Sequence, residues 1–215
     1  MSTRHISLSV GSALARRYAA DVNLFASACD DTPAALRALA DLLQPRERVF
    51  VLQVPEIAVP AGLVATRTAK GVQMIATRPI EAPGADEDIV ELTAADAAEM
   101  LALAGLTEPG PFLTRTHTMG AFRGIRIEGR LAAMAGERFR FPGHTEVSGV
   151  CTHPDFRGRG LARRLSAAVA AGIESRGERP FLHAWKTNWP AISLYESLGF
   201  EIRAEVNVKV LARPD

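Results

Sequence analysis

Between Glu146 and Arg164 the chain reads EVSGVCTHPDFRGRGLARR. An apolar, strand-like stretch runs into His153-Pro154, a turn follows at Arg157-Gly158-Arg159-Gly160, and helix-forming residues begin at once with Leu161 and Ala162. The first backbone N–H groups of a helix have no internal partner and carry the positive end of its dipole. Glycine lets the chain come close to a ligand and adopt positive φ. Together they make a cradle for a phosphate or pyrophosphate, with Arg157, Arg159, Arg163 and Arg164 near enough in sequence to add charge. Two nucleotide motifs fit poorly. A P-loop needs a Lys-Ser/Thr pair that is absent here, and a dinucleotide fingerprint needs Gly or Ala where Arg163 stands. Alone, the turn supports phosphate binding and nothing finer.

The flanking elements can be read from periodicity. Leu161, Leu165, Val169 and Ile173 recur at helical spacing, which predicts a helix over 161–175. Strands are predicted over 121–127 and 130–138, joined at Glu128-Gly129 in a hairpin turn, and over 145–152, 180–185 and 203–211. A helix opens near Thr93. A shorter one over 190–198 has Asn188 near its start and Gly199 just past its end. This order gives an α/β (α+β) fold, a mixed sheet with flanking helices, in which the strands over 145–152 and 180–185 run parallel through a right-handed crossover. Earlier in the chain, Asp31-Thr32-Pro33 caps a helix carrying Leu36, Leu39, Leu42 and Leu43. Strands are expected over 49–54 and 72–77. The stretch RPIEAPGADED, 78–88, reads as a connection. Two regions follow, a smaller α/β region over 1–85 in which no site is evident and a second over 86–215.

Composition narrows the classes. The chain has 215 residues, 47% of them hydrophobic, and a net charge of +1. There is neither the basic excess of a nucleic-acid binder nor a block of like charge. No apolar run reaches the ~18 residues a membrane helix needs, and no cleavable leader pattern opens the chain. A cytoplasmic protein with no membrane or nucleic-acid partner is expected. The two cysteines, Cys29 and Cys151, match no metal-ligand spacing.

The central segment resembles the GNAT superfamily of acetyltransferases. Arg157, Gly160 and Ala162 match its [RQ]xxGx[GA] signature, and Val150-Cys151-Thr152-His153-Pro154 matches the strand end before it. Asn188, Ala191, Leu194-Tyr195-Glu196 and Leu198-Gly199-Phe200 match the N..A..LYE.LGF run downstream. The closer likeness is to the glycine N-acyltransferase-like branch, whose bacterial members pair such a domain with an N-terminal half that is sometimes a degenerate copy. It covers residues 88–214 well, and earlier residues only through layout and the stretch Gly71-Val72-Gln73-Met74.

The resemblance implies transfer of an acetyl group from acetyl-CoA, without a metal, to an amine acceptor in a ternary complex. A non-catalytic acyl-CoA-binding module is the alternative. The pyrophosphate is then expected on the N–H groups of Arg157, Gly158, Arg159, Gly160, Leu161 and Ala162, with Arg163 close by. The pantetheine arm would lie along Val150, Cys151 and Thr152, on an edge made by splaying the two parallel strands. A backbone N–H there would serve the developing oxyanion. Tyr195 matches the position that often assists the leaving thiolate, with packing the competing reading because it shares a helix face with Ala191, Leu194 and Leu198. Asn188 reads as a ligand to the CoA arm, as a helix cap, or both. Glu146 is the expected general base, against an exposed strand-end charge, with Glu137 a weaker candidate. His117 and His183 are further candidates, His183 sharing a strand face with Phe181 and Trp185. Cys151 reads as a small buried thiol rather than a nucleophile. The N-terminal region is expected to cover one side of the acceptor cleft or to support a homodimer. Phe112, His117, Phe122 and Glu137 are the expected neighbours of an acceptor that the sequence does not identify.

Overall fold

The computed structural model describes residues 3–81 and 88–215. Its strands are β1 Ser9–Gly11, β2 Ala15–Tyr18, β3 Ala26–Ala28, β4 Arg48–Gln53, β5 Val64–Ala76, β6 Ile89–Leu92, β7 Phe122–Ile127, β8 Arg130–Phe141, β9 His144–Thr152, β10 Arg179–Trp185 and β11 Phe200–Ala212. Its helices are α1 Pro33–Asp41, α2 Ala97–Thr107, α3 Leu161–Glu174 and α4 Trp189–Leu198.

Local chemistry explains the main elements. Thr32 caps α1 by accepting from the Ala35 N–H, with proline at the first helical position. Glu128 and Gly129 both take positive φ, 52° and 78°, as the tight turn between β7 and β8 requires. Thr93 and Asp96 form a capping box, but it caps a short 3-10 turn, and α2 begins only at Ala97. In α3 the row Leu161, Leu165, Val169 and Ile173 is fully buried.

Eight strands form one mixed sheet in the order β4-β11-β5-β10-β9-β8-β7-β6, and β1, β2 and β3 form a separate small sheet. Helix α2 packs with Met134 of β8, while α3 packs with its neighbours Ala133 and Ala135, so alternate residues of one strand face helices on opposite sides. Helix α4 joins the α3 core through Ile192 and Tyr195. Helix α1 covers β2, β4 and Leu211 of β11.

Two features of the sheet bear on function. First, β5 runs over 64–76, beyond the 72–77 expected, and lies antiparallel between β10 and β11. The strand pairs drawn from before and after the 78–88 connection thus share one sheet. The proposed boundary between 85 and 86 lies outside the described residues. Second, β9 and β10 are parallel neighbours only over three pairs, ending at Phe181 and Glu146. Beyond that point β10 keeps its other neighbour β5 through Trp185, while the β10-facing edge of β9 over 147–152 has no strand beside it among the described residues.

Candidate active site

The opening between the strands is a cavity of about 580 Å³. Residues 147–152 of β9 form one wall, with His183, Ala184 and Trp185 of β10 opposite. Arg157 and Ala162 line it near the glycine turn, Asn188, Ala191, Leu194 and Tyr195 of the α4 segment line it below, and Phe25, Phe50 and Arg138 lie toward the N-terminal strands.

The glycine turn has the geometry of an anion cradle. Gly158 and Gly160 take φ of 77° and 72°, and a Cβ added at either would meet nothing within 4 Å. The first bond of α3 runs from the Arg164 N–H to the Gly160 carbonyl, 3.1 Å, so the N–H groups before it have no helical partner. The flanking arginines divide. Arg157 lines the cavity, whereas Arg159 sits 5.3 Å over the Phe156 ring. Arg163 donates to Ser197 Oγ of α4 and, with Arg78, Arg164 and Ser197, lines a second concavity away from the splayed strands. Arg164 pairs with Asp88 at 2.8 Å. The Leu161 side chain is buried in the α3 core, leaving its backbone to the turn.

Along β9, Met134 faces Cys151 and Gly136 faces Ser148, so Gly149 and Val150 oppose the single residue Ala135. This is a β-bulge, and Gly149 accommodates it at φ 63°. A bulge leaves one residue's backbone groups out of the ladder, and here that residue borders the cavity. Nearby, the Thr152 hydroxyl is buried without a hydrogen-bond partner among the described residues. Burial pushes the Cys151 thiol up to about 11, so it stays protonated and is a poor nucleophile.

Tyr195 packs edge-on to Phe200 at 6.1 Å and also lines the cavity, so the packing and functional readings coexist. Burial raises its phenol to about 12 and keeps it a donor. Asn188 caps α4 by accepting from the Ala191 N–H at 3.3 Å while lining the cavity.

Glu146 is not an exposed strand-end charge. It is completely buried and does not line the cavity. Arg138 grips it with two bonds, Nε to Oε2 at 2.8 Å and Nη2 to Oε1 at 2.7 Å. The Phe139 N–H and His183 Nδ1 complete its shell at 3.2 and 2.6 Å. Burial alone would raise this carboxyl, but attraction to Arg138 and the hydrogen bonds from Arg138 and His183 overcome it and hold it at about 2. Arg138 itself lies over the rings of both Phe25 and Phe139, 4.7 and 4.6 Å from their centres. His183 reaches the cavity wall.

Other expected neighbours lie elsewhere. Glu137 is buried and bound to Arg176 at 2.7 Å, and neither it nor His117 lines the cavity. Phe112 and Phe122 meet edge-on under the Gly149 bulge. Phe25, Phe50 and Leu52, from the region where the sequence showed no site, are on the wall instead. As aromatic and aliphatic residues in short strands they carry no signal separating a cavity wall from a core. Among the described residues, no group of three or more His, Cys, Asp or Glu side chains could hold a metal ion, and no helix is long and apolar enough to cross a membrane.

The FR47-like protein family model matches residues 122–209. Among curated proteins, none matches the chain. Among solved structures, a provisionally assigned acetyltransferase of the GNAT family from Novosphingobium aromaticivorans is 44% identical, with 99% of this chain and 94% of that one covered and a TM-score of 0.92. A GCN5-related N-acetyltransferase from Kribbella flavida is 19% identical, covering 96% of this chain and 89% of its own, with a TM-score of 0.61. A Drosophila protein is 20% identical, covering 93% and 74%, with a TM-score of 0.68. At that distance the last two establish the fold alone. By its fold, and by its similarity over nearly its whole length to the Novosphingobium protein, this chain belongs to the GNAT family of acetyltransferases.

Proposed function

We propose that the chain moves an acetyl group from acetyl-CoA to the amine of a second substrate, both bound together. One observation carries this reading: β9 and β10 part beyond Phe181 and Glu146 around a cavity that reaches the glycine turn at Arg157 and Ala162. A long ligand with a pyrophosphate at one end and an extended amide arm suits that shape. The N–H groups of residues 157–162 would hold the pyrophosphate, where the open space around Gly158 and Gly160 leaves room for it. The free edge of β9 at Val150, Cys151 and Thr152 would hydrogen-bond the arm, with Asn188 beside it. The thioester supplies an activated acyl group.

Tyr195 would hydrogen-bond the sulfur. Full proton transfer from a phenol at about 12 to an ordinary thiolate is uphill by roughly 5 kcal/mol, so the role is a hydrogen bond to developing charge. A backbone N–H at the Gly149 bulge would donate to the acyl oxygen. For the base, a carboxylate held at about 2 and enclosed by Arg138 is a weak proton acceptor. We assign the amine's proton to His183 Nε2, reached once the Gln73 amide turns away from it, with Glu146 as the residue that positions the ring and stabilises the imidazolium. The proposal extends to the glycine N-acyltransferase-like branch, on the strength of the sequence over 147–162 and 188–200.

The test is CoA release across a panel of amines, paired with calorimetric binding of acetyl-CoA. Turnover with at least one amine is expected. Tight acetyl-CoA binding with no turnover across a broad panel would point instead to a binding module. A melting temperature raised by ATP and not by CoA would defeat the acyl-CoA reading altogether.

A further inference from the structure

A third concavity, about 390 Å³, adjoins the first and shares Phe25, Leu52, His183 and Val206 with it, so the two meet along these residues. Its other walls include Tyr18, Phe139, Arg140 and Phe141. The aromatic wall is already organised. Phe139 stacks on Tyr18 at 6.2 Å with 13° between planes and meets Phe25 edge-on at 5.0 Å. No carboxylate is among its lining residues, and Glu146 behind it is neutralised by Arg138. A polycationic acceptor therefore finds no counter-charge there. Arg140 is different. Its partly exposed side chain pairs loosely with Glu178 at 3.8 Å, while its Nε is buried with no hydrogen-bond partner among the described residues. A buried guanidinium N–H without a partner is unfavourable, and a carboxylate is the ligand its planar fork fits best.

We propose that this concavity is the acceptor site and that it takes an α-amino acid with an aromatic or large apolar side chain. The ring packs among Tyr18, Phe25 and Phe139, the carboxylate meets Arg140, and the amine is directed to His183. The inference rests on the acetyl-transfer reading above and adds the chemical class of the acceptor. In the reaction the amine nitrogen forms the bond to the acyl carbon, the bond from that carbon to sulfur breaks, sulfur leaves with the electron pair, and His183 takes the nitrogen's proton.

The experiment uses the full chain and first measures acetyl-CoA binding by calorimetry. CoA release is then followed with phenylalanine, 2-phenylethylamine, glycine and spermidine. Phenylalanine should exceed 2-phenylethylamine, which lacks the carboxylate, and glycine, which lacks the ring, by about ten- to a hundredfold in kcat/KM. Spermidine should give no turnover. Arg140→Met should raise the KM for phenylalanine and shrink its advantage over 2-phenylethylamine, with the KM for acetyl-CoA unchanged. Arg140→Lys, which keeps the charge, should restore part of that advantage. Preference for glycine or spermidine, or an advantage untouched by Arg140→Met, overturns the inference while the acetyl-transfer reading stands. Absence of acetyl-CoA binding overturns both.

Discussion

His183 Nδ1 lies 2.6 Å from Glu146 Oε1, and the ring's other nitrogen fixes its tautomer. Gln73 Nε2 is 3.0 Å from His183 Nε2, and the Gln73 oxygen is taken by Arg203, so the amide donates and the imidazole accepts. His183 therefore donates its Nδ1–H to the carboxylate and carries its lone pair on Nε2, where the Gln73 amide must turn away before a substrate proton can be taken. That is the form needed to receive a proton, with the resulting charge stabilised from behind.

Glu146→Gln tests this arrangement. The amide cannot balance Arg138, so the folded state should lose about 3–5 kcal/mol, measurable from denaturant midpoints. Activity should fall about 10²-fold in kcat, with the KM for acetyl-CoA little changed. An unchanged kcat would mean that Glu146 supports only the fold.

The pH dependence of stability has a definite sign. The Glu146 carboxyl is depressed in the folded chain, from 4.5 to about 2. Its stabilisation is fully present above the unfolded value and is lost as pH falls from about 4.5 through about 2. Over that window the loss should be on the order of 3 kcal/mol. Urea titrations of the parent and of Glu146→Gln should therefore converge as pH approaches 2, and a constant gap between them would contradict the assignment.

Tyr195→Phe keeps the ring against Phe200 and removes only the hydroxyl. Stability should change by less than about 1 kcal/mol, while kcat falls about 10²-fold and the KM for acetyl-CoA changes little. Equal kcat in the two proteins would reduce Tyr195 to packing.

Gly160→Asp tests the cradle. Aspartate tolerates the left-handed region better than most residues, and the Cβ meets open space, so the fold should survive. A carboxylate beside the orphan N–H groups would compete with the pyrophosphate and repel it. Acetyl-CoA affinity should drop by roughly a hundredfold or more in calorimetry, and normal affinity would remove the pyrophosphate from this turn.

The sequence exposed what local patterns control. The buried row of α3, the caps at Thr32 and Asn188, and the Glu128-Gly129 turn are all written in neighbouring residues. Two things escaped it because they depend on distant partners. Residues 64–70 of β5 are largely exposed and polar, so nothing in their pattern marks a strand, and the pairing that makes them one is with β11. Glu146 resembled a surface charge because its partner Arg138 comes alongside only after the β8–β9 register shifts between Glu137 and Arg140. The glycine turn was legible as an anion site from its own residues, while the aromatic and aliphatic cavity wall from Phe25, Phe50 and Leu52 was indistinguishable from core.

The position of β5 between β10 and β11 also constrains how the chain is made. During synthesis β5 emerges first and must wait for both neighbours, on the order of ten seconds at ordinary elongation rates. Through that interval a long strand has both edges open, the condition that invites pairing with other chains. Folding dominated by such distant contacts is slow. The half of the molecule that carries the glycine cradle thus reaches its final form only with a strand from the other half, and nascent chains should depend on dilution or on a holding chaperone until β11 closes the sheet.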